Sequence, residues 1–233
     1  MKNLIPAIKH AIAMELNKLT NKVVYTHESA RTLAALLEGS NYAATNMQGA
    51  RAYSNKQDVL LEGLAHAEAG GLFAEFGVYS GATINLIADR APAGTVVDGF
   101  DSFEGLPEDW FGKYTKGFFN TKGSVPKVRP NVRLHVGWFN TTVPAYAKSE
   151  QGRKCSFLHI DCDLYSSTKA VFDALDDHIG PGTVIVFDEY FNYDGWKEHE
   201  FKAFHEFIAR RGLRYRYLAY NVADWNAAVQ ITS

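Results

Sequence analysis

A chain of 233 residues with 46% apolar and 13% aromatic side chains holds enough material for one sizeable core, and its formal net charge of -2 leaves no basic footprint for nucleic acid. Its two cysteines, Cys155 and Cys162, fall at the two ends of one predicted strand. A rise of about 3.3 Å per residue would hold them about 23 Å apart, so they do not bridge, which accords with a reducing, cytoplasmic setting.

The N-terminal stretch MKNLIPAIKHAIAMELNKLT places Leu4, Ile5, Ile8, Ile12, Leu16 and Leu19 at helical spacing. Lys9, His10 and Glu15 interrupt it, so the expectation is an amphipathic helix near 3–19, neither a signal peptide nor a membrane span. Such a face packs on the body or on a second copy, and a homodimer through the N-terminal helices is expected. Two further helices are predicted, near 28–38 closed by Gly39 and near 56–69 closed by Gly70 and Gly71. Between them NYAATNMQGARAYSNKQ is polar and weakly patterned, with Arg51 and Tyr53 as candidate acceptor contacts. Residues 1–70 therefore read as a helical extension or lid, and 71–233 as the binding domain.

From Leu72 the texture changes to short β-rich runs: LFAEFG (72–77), TVVDGFD (95–101), VRLHVG (132–137), SFLHID (156–161), TVIVFD (183–188), LRYRYLAYN (213–221) and NAAVQIT (226–232). The first five alternate with helical patterns, the signature of a parallel sheet with crossover helices. The last two are joined by too few residues for a crossover and should pair as an antiparallel hairpin. The expected fold is α/β: a seven-stranded, mostly parallel open sheet. Ligands of such sheets bind outside the carboxyl ends of the strands, where strand order reverses.

Those ends are distinctive. The first opens into EFGVYSGAT, where Gly77 and Gly81 bracket a turn running straight into a helix, so that backbone can approach a ligand and unpaired N–H groups are offered. The second ends at Asp101 and Ser102, an acid suited to the two hydroxyls of a ribose, or else a helix cap. After the third, Gly137 gives room and Trp138 or Phe139 can cover an adenine or fill the core. The fourth ends in HIDCDLYSST, with Asp161 and Asp163, and the fifth in FDEYF, with Asp188 and Glu189. Carboxylates clustered at one sheet edge repel, and neither strand end carries a Lys or Arg. A divalent cation is the economical answer, and oxygen ligands favour Mg²⁺, Mn²⁺ or Ca²⁺ over zinc.

Together EFGVYSGAT, DSFEGLPEDW, GWFNTTVP, HIDCDLYSST and PGTVIVFDEYF resemble the macrocin O-methyltransferase family, in order from about residue 72 to 200. The resemblance implies a Rossmann-like class I methyltransferase fold, S-adenosylmethionine as cofactor, Mg²⁺ (or Mn²⁺), and a sugar-like hydroxyl acceptor of natural-product type. Asp161, Asp188 and Glu189 match the family's metal ligands and Asp163 its general base. Nucleoside contacts are expected from Glu75, Gly77, Tyr79, Ser80, Gly81, Asp101, Ser102, Gly137 and Trp138. Asp188-Glu189 stands where relatives carry Asp-Asp, which changes the reach of one ligand. A competing base is His199. Two lid-like segments would bring Trp110, Tyr114, Tyr190, Tyr193 and Trp196 to the mouth, suited to sugar or phenolic rings. Other classes compatible with these acids are a catechol-like O-methyltransferase, a DxD glycosyltransferase and a non-catalytic S-adenosylmethionine binder.

Overall fold

The computed structural model describes residues 26–233, so the expected helix near 3–19 and the dimer contact assigned to it lie outside the described residues. The first element, α1 (His27–Asn46), starts at a reciprocal cap between Thr26 and Ser29. It runs through Gly39, where the sequence predicts a stop. A Cβ there would collide with the side-chain amide of Asn192, so this glycine permits close packing where a terminator was expected. The helix α2 (Lys56–His66) is capped by Asn55, whose side chain accepts the Asp58 N–H.

Eight strands form one sheet: β1 (Arg51–Tyr53), β2 (Leu72–Phe76), β3 (Val97–Asp101), β4 (Val132–Val136), β5 (Cys155–Ile160), β6 (Val184–Phe187), β7 (Tyr215–Asn221) and β8 (Ala227–Ile231). Their order is β1-β7-β8-β6-β5-β2-β3-β4, and only β8 runs against its neighbours. The predicted hairpin is β7–β8. The strand missed from sequence, β1, is three residues long and mostly exposed, with no apolar alternation to announce it; it pairs in parallel with the edge of β7 through main chain alone. Arg51 and Tyr53 both bind Glu62 on α2, at 3.0 and 2.9 Å, and brace this edge; neither lines the cavity.

Helices cover both faces, which is why the central strands are buried throughout. On one face α2 and α3 (Ala82–Arg90) pack Val59, Leu60, Ile84 and Ile87 onto Phe73, Phe157 and Val186. On the other, α4 (Phe139–Ser149), α5 (Tyr165–Ala174) and α6 (Glu200–Arg211) enclose Phe76, Phe100, Ile160, Phe187 and Phe204. α2 and β1 are thus built into the layers of the sheet. Crossovers leave β2 and β5 in opposite directions, so the strand order reverses between these two neighbours. Among the described residues no helix is long and apolar enough to cross a membrane.

Candidate active site

Phe76, Ile160 and Phe187 are register partners across β2, β5 and β6. The residues that follow them, Gly77, Asp161 and Asp188, consequently stand side by side at the carboxyl edge of the sheet. The ladder continues through them: the Asp161 N–H donates to Phe76 O and the Asp188 N–H to Ile160 O, each at 2.9 Å. Gly77 has φ +99°, and a Cβ there would strike the Asp161 carbonyl oxygen. The glycine expected to admit a ligand is demanded first by the neighbouring strand.

Above this edge lies a cavity of about 670 Å³. Gly77, Tyr79 and Ser80 from the glycine turn, Asp101 and Ser102 from β3, and Gly137 and Trp138 after β4 line one half of it. The Asp101 carboxylate organises that half: Oδ2 accepts the N–H groups of Val78 (2.8 Å) and Tyr79 (2.7 Å), and Oδ1 that of Phe103 (2.7 Å). Those bonds stabilise Tyr79 and Phe103 in left-handed backbone, at φ 45° and 57°. A carboxylate offers about four lone-pair sites, so an acceptor position remains for a bound hydroxyl.

Two expected contacts of this half lie elsewhere. Gly81 caps α3 in left-handed backbone and faces Pro126, outside the cavity lining. Glu75 is fully buried in β2, on the same face as Phe73, and shares a 2.8 Å hydrogen bond with His159 Nδ1 beneath the turn. Alternation along the strand puts its side chain on the Phe73 face, outside the cavity lining although within 4.8 Å of an Asp161 oxygen, and burial raises its pKa although His159 opposes the shift.

The other half of the cavity carries Asp161, Asp163, Asp188 and Glu189. One ligand oxygen from each of Asp161, Asp188 and Glu189 lies within 4.8 Å of the others, and Glu189 Oε2 is buried without a hydrogen-bond partner. Burial, then repulsion from Asp188 and the neighbouring acids, raises the pKa of Asp161 and of Glu189 well above the carboxylate range. Asp163 is pushed up to about 7 by burial and by Asp188 and Asp101. It has φ 64° and sits at the centre of a three-residue turn closed by the Leu164 N–H on Cys162 O. An all-oxygen set with an orphaned buried acceptor fits a hard divalent cation.

Two residues of this half were not legible in the sequence. Glu200, fully buried at the start of α6, accepts the N–H groups of Cys162 (3.3 Å), Asp163 (3.2 Å) and Glu189 (3.2 Å), tying both acidic loops to one carboxylate. A signal existed: Glu200 shares a helical stripe with Ala203, Phe204 and Phe207, all buried. Lys56, from the first turn of α2, reaches Asp188 Oδ2 at 3.1 Å. The cluster thus has a cation after all, delivered from a helix more than a hundred residues away in sequence.

The residues expected at the mouth divide. Trp110 and Tyr114 line the cavity together with Phe119 and Trp225, and Ser166 Oγ donates to Glu108 at 2.6 Å, tying this segment to α5. Tyr190, Tyr193 and Trp196 are buried behind it. Tyr190 is held by Tyr217 (2.7 Å) and His205 (3.1 Å), Trp196 Nε1 donates to Glu38 (3.2 Å), and Tyr193 OH donates to Glu189 O (3.3 Å). Each phenol or indole has a protein partner, and none of the three is among the residues lining the cavity, so they back its wall. His199 likewise stacks on Tyr193, outside the lining, with its pKa lowered by burial.

A profile of the family described as methyltransferase domain matches residues 74–190, half of the chain and the segment that carries the glycine turn and both acidic ends. The chain belongs to that family. This methyltransferase is similar in structure to the calicheamicin methyltransferase CalS11, with 21% identity, TM-score 0.61, and coverage of 91% of this chain and 96% of the other. It is also similar to the O-methyltransferase NovP, with 20% identity, TM-score 0.54, and coverage of 76% and 78%. What the three chains share at this identity is the fold. No curated protein sequence matches the chain. The family match removes the glycosyltransferase reading of the DxD motif.

Proposed function

We propose that this methyltransferase is an S-adenosylmethionine-dependent O-methyltransferase of the macrocin type, acting on a hydroxyl of a sugar or natural-product acceptor with Mg²⁺ or Mn²⁺. The observation that carries the reading is the buried, partnerless Glu189 Oε2 converging with Asp161 and Asp188 beside a glycine turn. Asp161, Asp188 and Glu189 would hold the cation. When bound, a divalent cation supplies Lewis acidity, lowering the cost of negative charge on the acceptor oxygen.

The chain's own residues do the rest. Asp163, with its pKa near 7, is a base matched to neutral pH. It takes the hydroxyl proton while the acceptor oxygen takes the methyl group and the carbon–sulfur bond breaks. Glu200 positions that base by holding its amide, and its own pKa is raised by burial and by Asp163. Asp101, the glycine turn and Trp138 would hold the nucleoside. Trp110, Tyr114, Phe119 and Trp225 form an aromatic rim that excludes water and suits the face of a sugar or phenolic ring. CalS11 is described as a TDP-rhamnose 3'-O-methyltransferase, which supports a sugar acceptor; the aromatic rim keeps a catechol-like phenol as the second reading.

Calorimetric titration of S-adenosylhomocysteine, with and without Mg²⁺, tests the reading on wild type and on the Asp161→Ala, Asp188→Ala double variant. Micromolar nucleoside binding, with a separate Mg²⁺ site lost in the double variant, is expected. Absence of nucleoside binding overturns it. Methyl transfer to vicinal diols on sugars versus catechols then separates the two acceptor classes.

A further inference from the structure

Asp188 has little freedom at the sheet edge. Asn226 Nδ2 donates both to its carbonyl oxygen and to its Oδ1, each at 2.8 Å, and Asn226 is itself held by the Asn221 side chain at 3.1 Å. That leaves Oδ2 as the outward ligand atom, and Lys56 Nζ occupies it at 3.1 Å. Glu189 Oε2 remains without a partner, so the ammonium neutralises the cluster only in part.

The placement of Lys56 is otherwise unfavourable. It is the first residue of α2, where the helix dipole presents positive charge and acidic side chains are favoured. Among the described residues lining the main cavity, Lys56 is the single Lys or Arg, against the acids Asp101, Asp161, Asp163, Asp188, Glu189 and Asp224. The carboxylates therefore account for a lysine at a helix start. The same side chain also lines a second, smaller cavity of about 350 Å³ between α2 and α3, with Thr83, His159 and Leu60. Its side chain is about half exposed, so the stem has both a groove and solvent into which it can withdraw.

We propose that Lys56 is a resident counter-ion of the acid cluster in the metal-free protein and is displaced from Asp188 when the divalent cation binds. The inference rests on the metal-dependent reading above and adds that this chain's metal affinity is set by competition with its own lysine. The physical reason is direct. A divalent ion ligated through Asp188 Oδ2 and an ammonium on the same oxygen are like charges within contact distance, and one of them must leave. The lysine neutralises the acids while the site is empty and weakens the cation in return.

Titration of Mn²⁺ into the full-length, EDTA-stripped protein tests this on wild type, Lys56→Met and Lys56→Arg, followed by calorimetry and by the Mn²⁺ spin-resonance signal. The expected result is Mn²⁺ binding about tenfold tighter in Lys56→Met, with Lys56→Arg close to wild type. Thermal unfolding gives a second readout: without metal, Lys56→Met melts below wild type, and saturating Mn²⁺ raises its melting temperature by more than it raises that of wild type. Unchanged or weaker Mn²⁺ binding in Lys56→Met, with wild type binding normally, overturns the counter-ion role and leaves the metal site standing. Weaker S-adenosylhomocysteine binding with unchanged Mn²⁺ affinity assigns Lys56 to the nucleoside and also overturns it. Mn²⁺ binding to neither protein sinks both this inference and the metal-dependent reading.

Discussion

The two halves of the cleft are electrostatic opposites. On the β2–β3 side the Asp101 carboxylate is met by three backbone N–H groups, and the turn it organises is complete without a ligand. On the β5–β6 side four carboxylates line the cavity facing one ammonium, and one of their oxygens has no partner. A satisfied half is a rigid mould that a ligand enters; an unsatisfied half holds charge that a ligand or a proton must complete. On the proposed function, the contrast assigns nucleoside binding to one side of the cleft and chemistry to the other.

The sharpest way to break the comparison is to remove the proposed base, Asp163, from the unsatisfied half. Asp163→Asn should lower kcat by about 10²–10⁴-fold while S-adenosylhomocysteine affinity, measured by calorimetry, stays at the wild-type value. A loss confined to affinity would place Asp163 on the nucleoside side. Next in size is the satisfied half. Asp101→Ala strips the acceptor from three amides, and urea unfolding should show a loss of about 2–3 kcal/mol together with weaker nucleoside binding. If the variant unfolds like wild type, the turn does not depend on that carboxylate.

The pH dependence follows from the same contrast. Asp163 has its pKa raised from 3.8 to about 7, so the folded state keeps a proton that the unfolded chain has released. Its contribution to stability is fully present below about pH 3.8 and is lost as pH rises through about 7. The metal-free protein should therefore lose on the order of 2–4 kcal/mol from this group over that window, and Mn²⁺ should recover part of it. Chemical denaturation at pH 5 and pH 8, with and without Mn²⁺, checks the sign; a metal-free protein more stable at pH 8 than at pH 5 refutes it. Glu200→Ala, which leaves three loop amides without their acceptor, should cost about 1–3 kcal/mol and also weaken Mn²⁺ binding, an effect a purely structural carboxylate would not have. The smallest effect is expected at Trp110, whose Nε1 is buried without a partner. Trp110→Phe should leave stability within about 0.5 kcal/mol of wild type and raise the acceptor KM several-fold, because the lost donor serves only when an acceptor oxygen is present.

The mismatches between sequence and structure have a common origin. Gly39 reads as a stop and proves to be a point where Asn192 approaches too closely for a Cβ, and Gly77, which lines the cavity as expected, is required in addition by the Asp161 carbonyl. Tyr190, Tyr193 and Trp196 read as rim aromatics, and each is buried and held by a polar partner: Tyr217 and Glu38, distant in sequence, for Tyr190 and Trp196, and the Glu189 carbonyl of its own loop for Tyr193. Strand β1 has no pattern because its pairing uses main chain that any sequence possesses.

What the sequence by itself determined is the set of features written in local order. Short β-rich runs alternating with crossover helices specify a mostly parallel sheet, and acids placed one step past two such runs specify charge at its carboxyl edge. Those depend only on alternation and on where a strand stops. Only the tertiary structure decided that Asp161 and Asp188 are neighbours, that Asp101 organises its own turn, that Glu200 ties the acidic loops, and that Lys56 supplies their counter-charge. Strand order and helix placement set those distances, and Coulomb energies follow distance in space, to which spacing along the chain is blind.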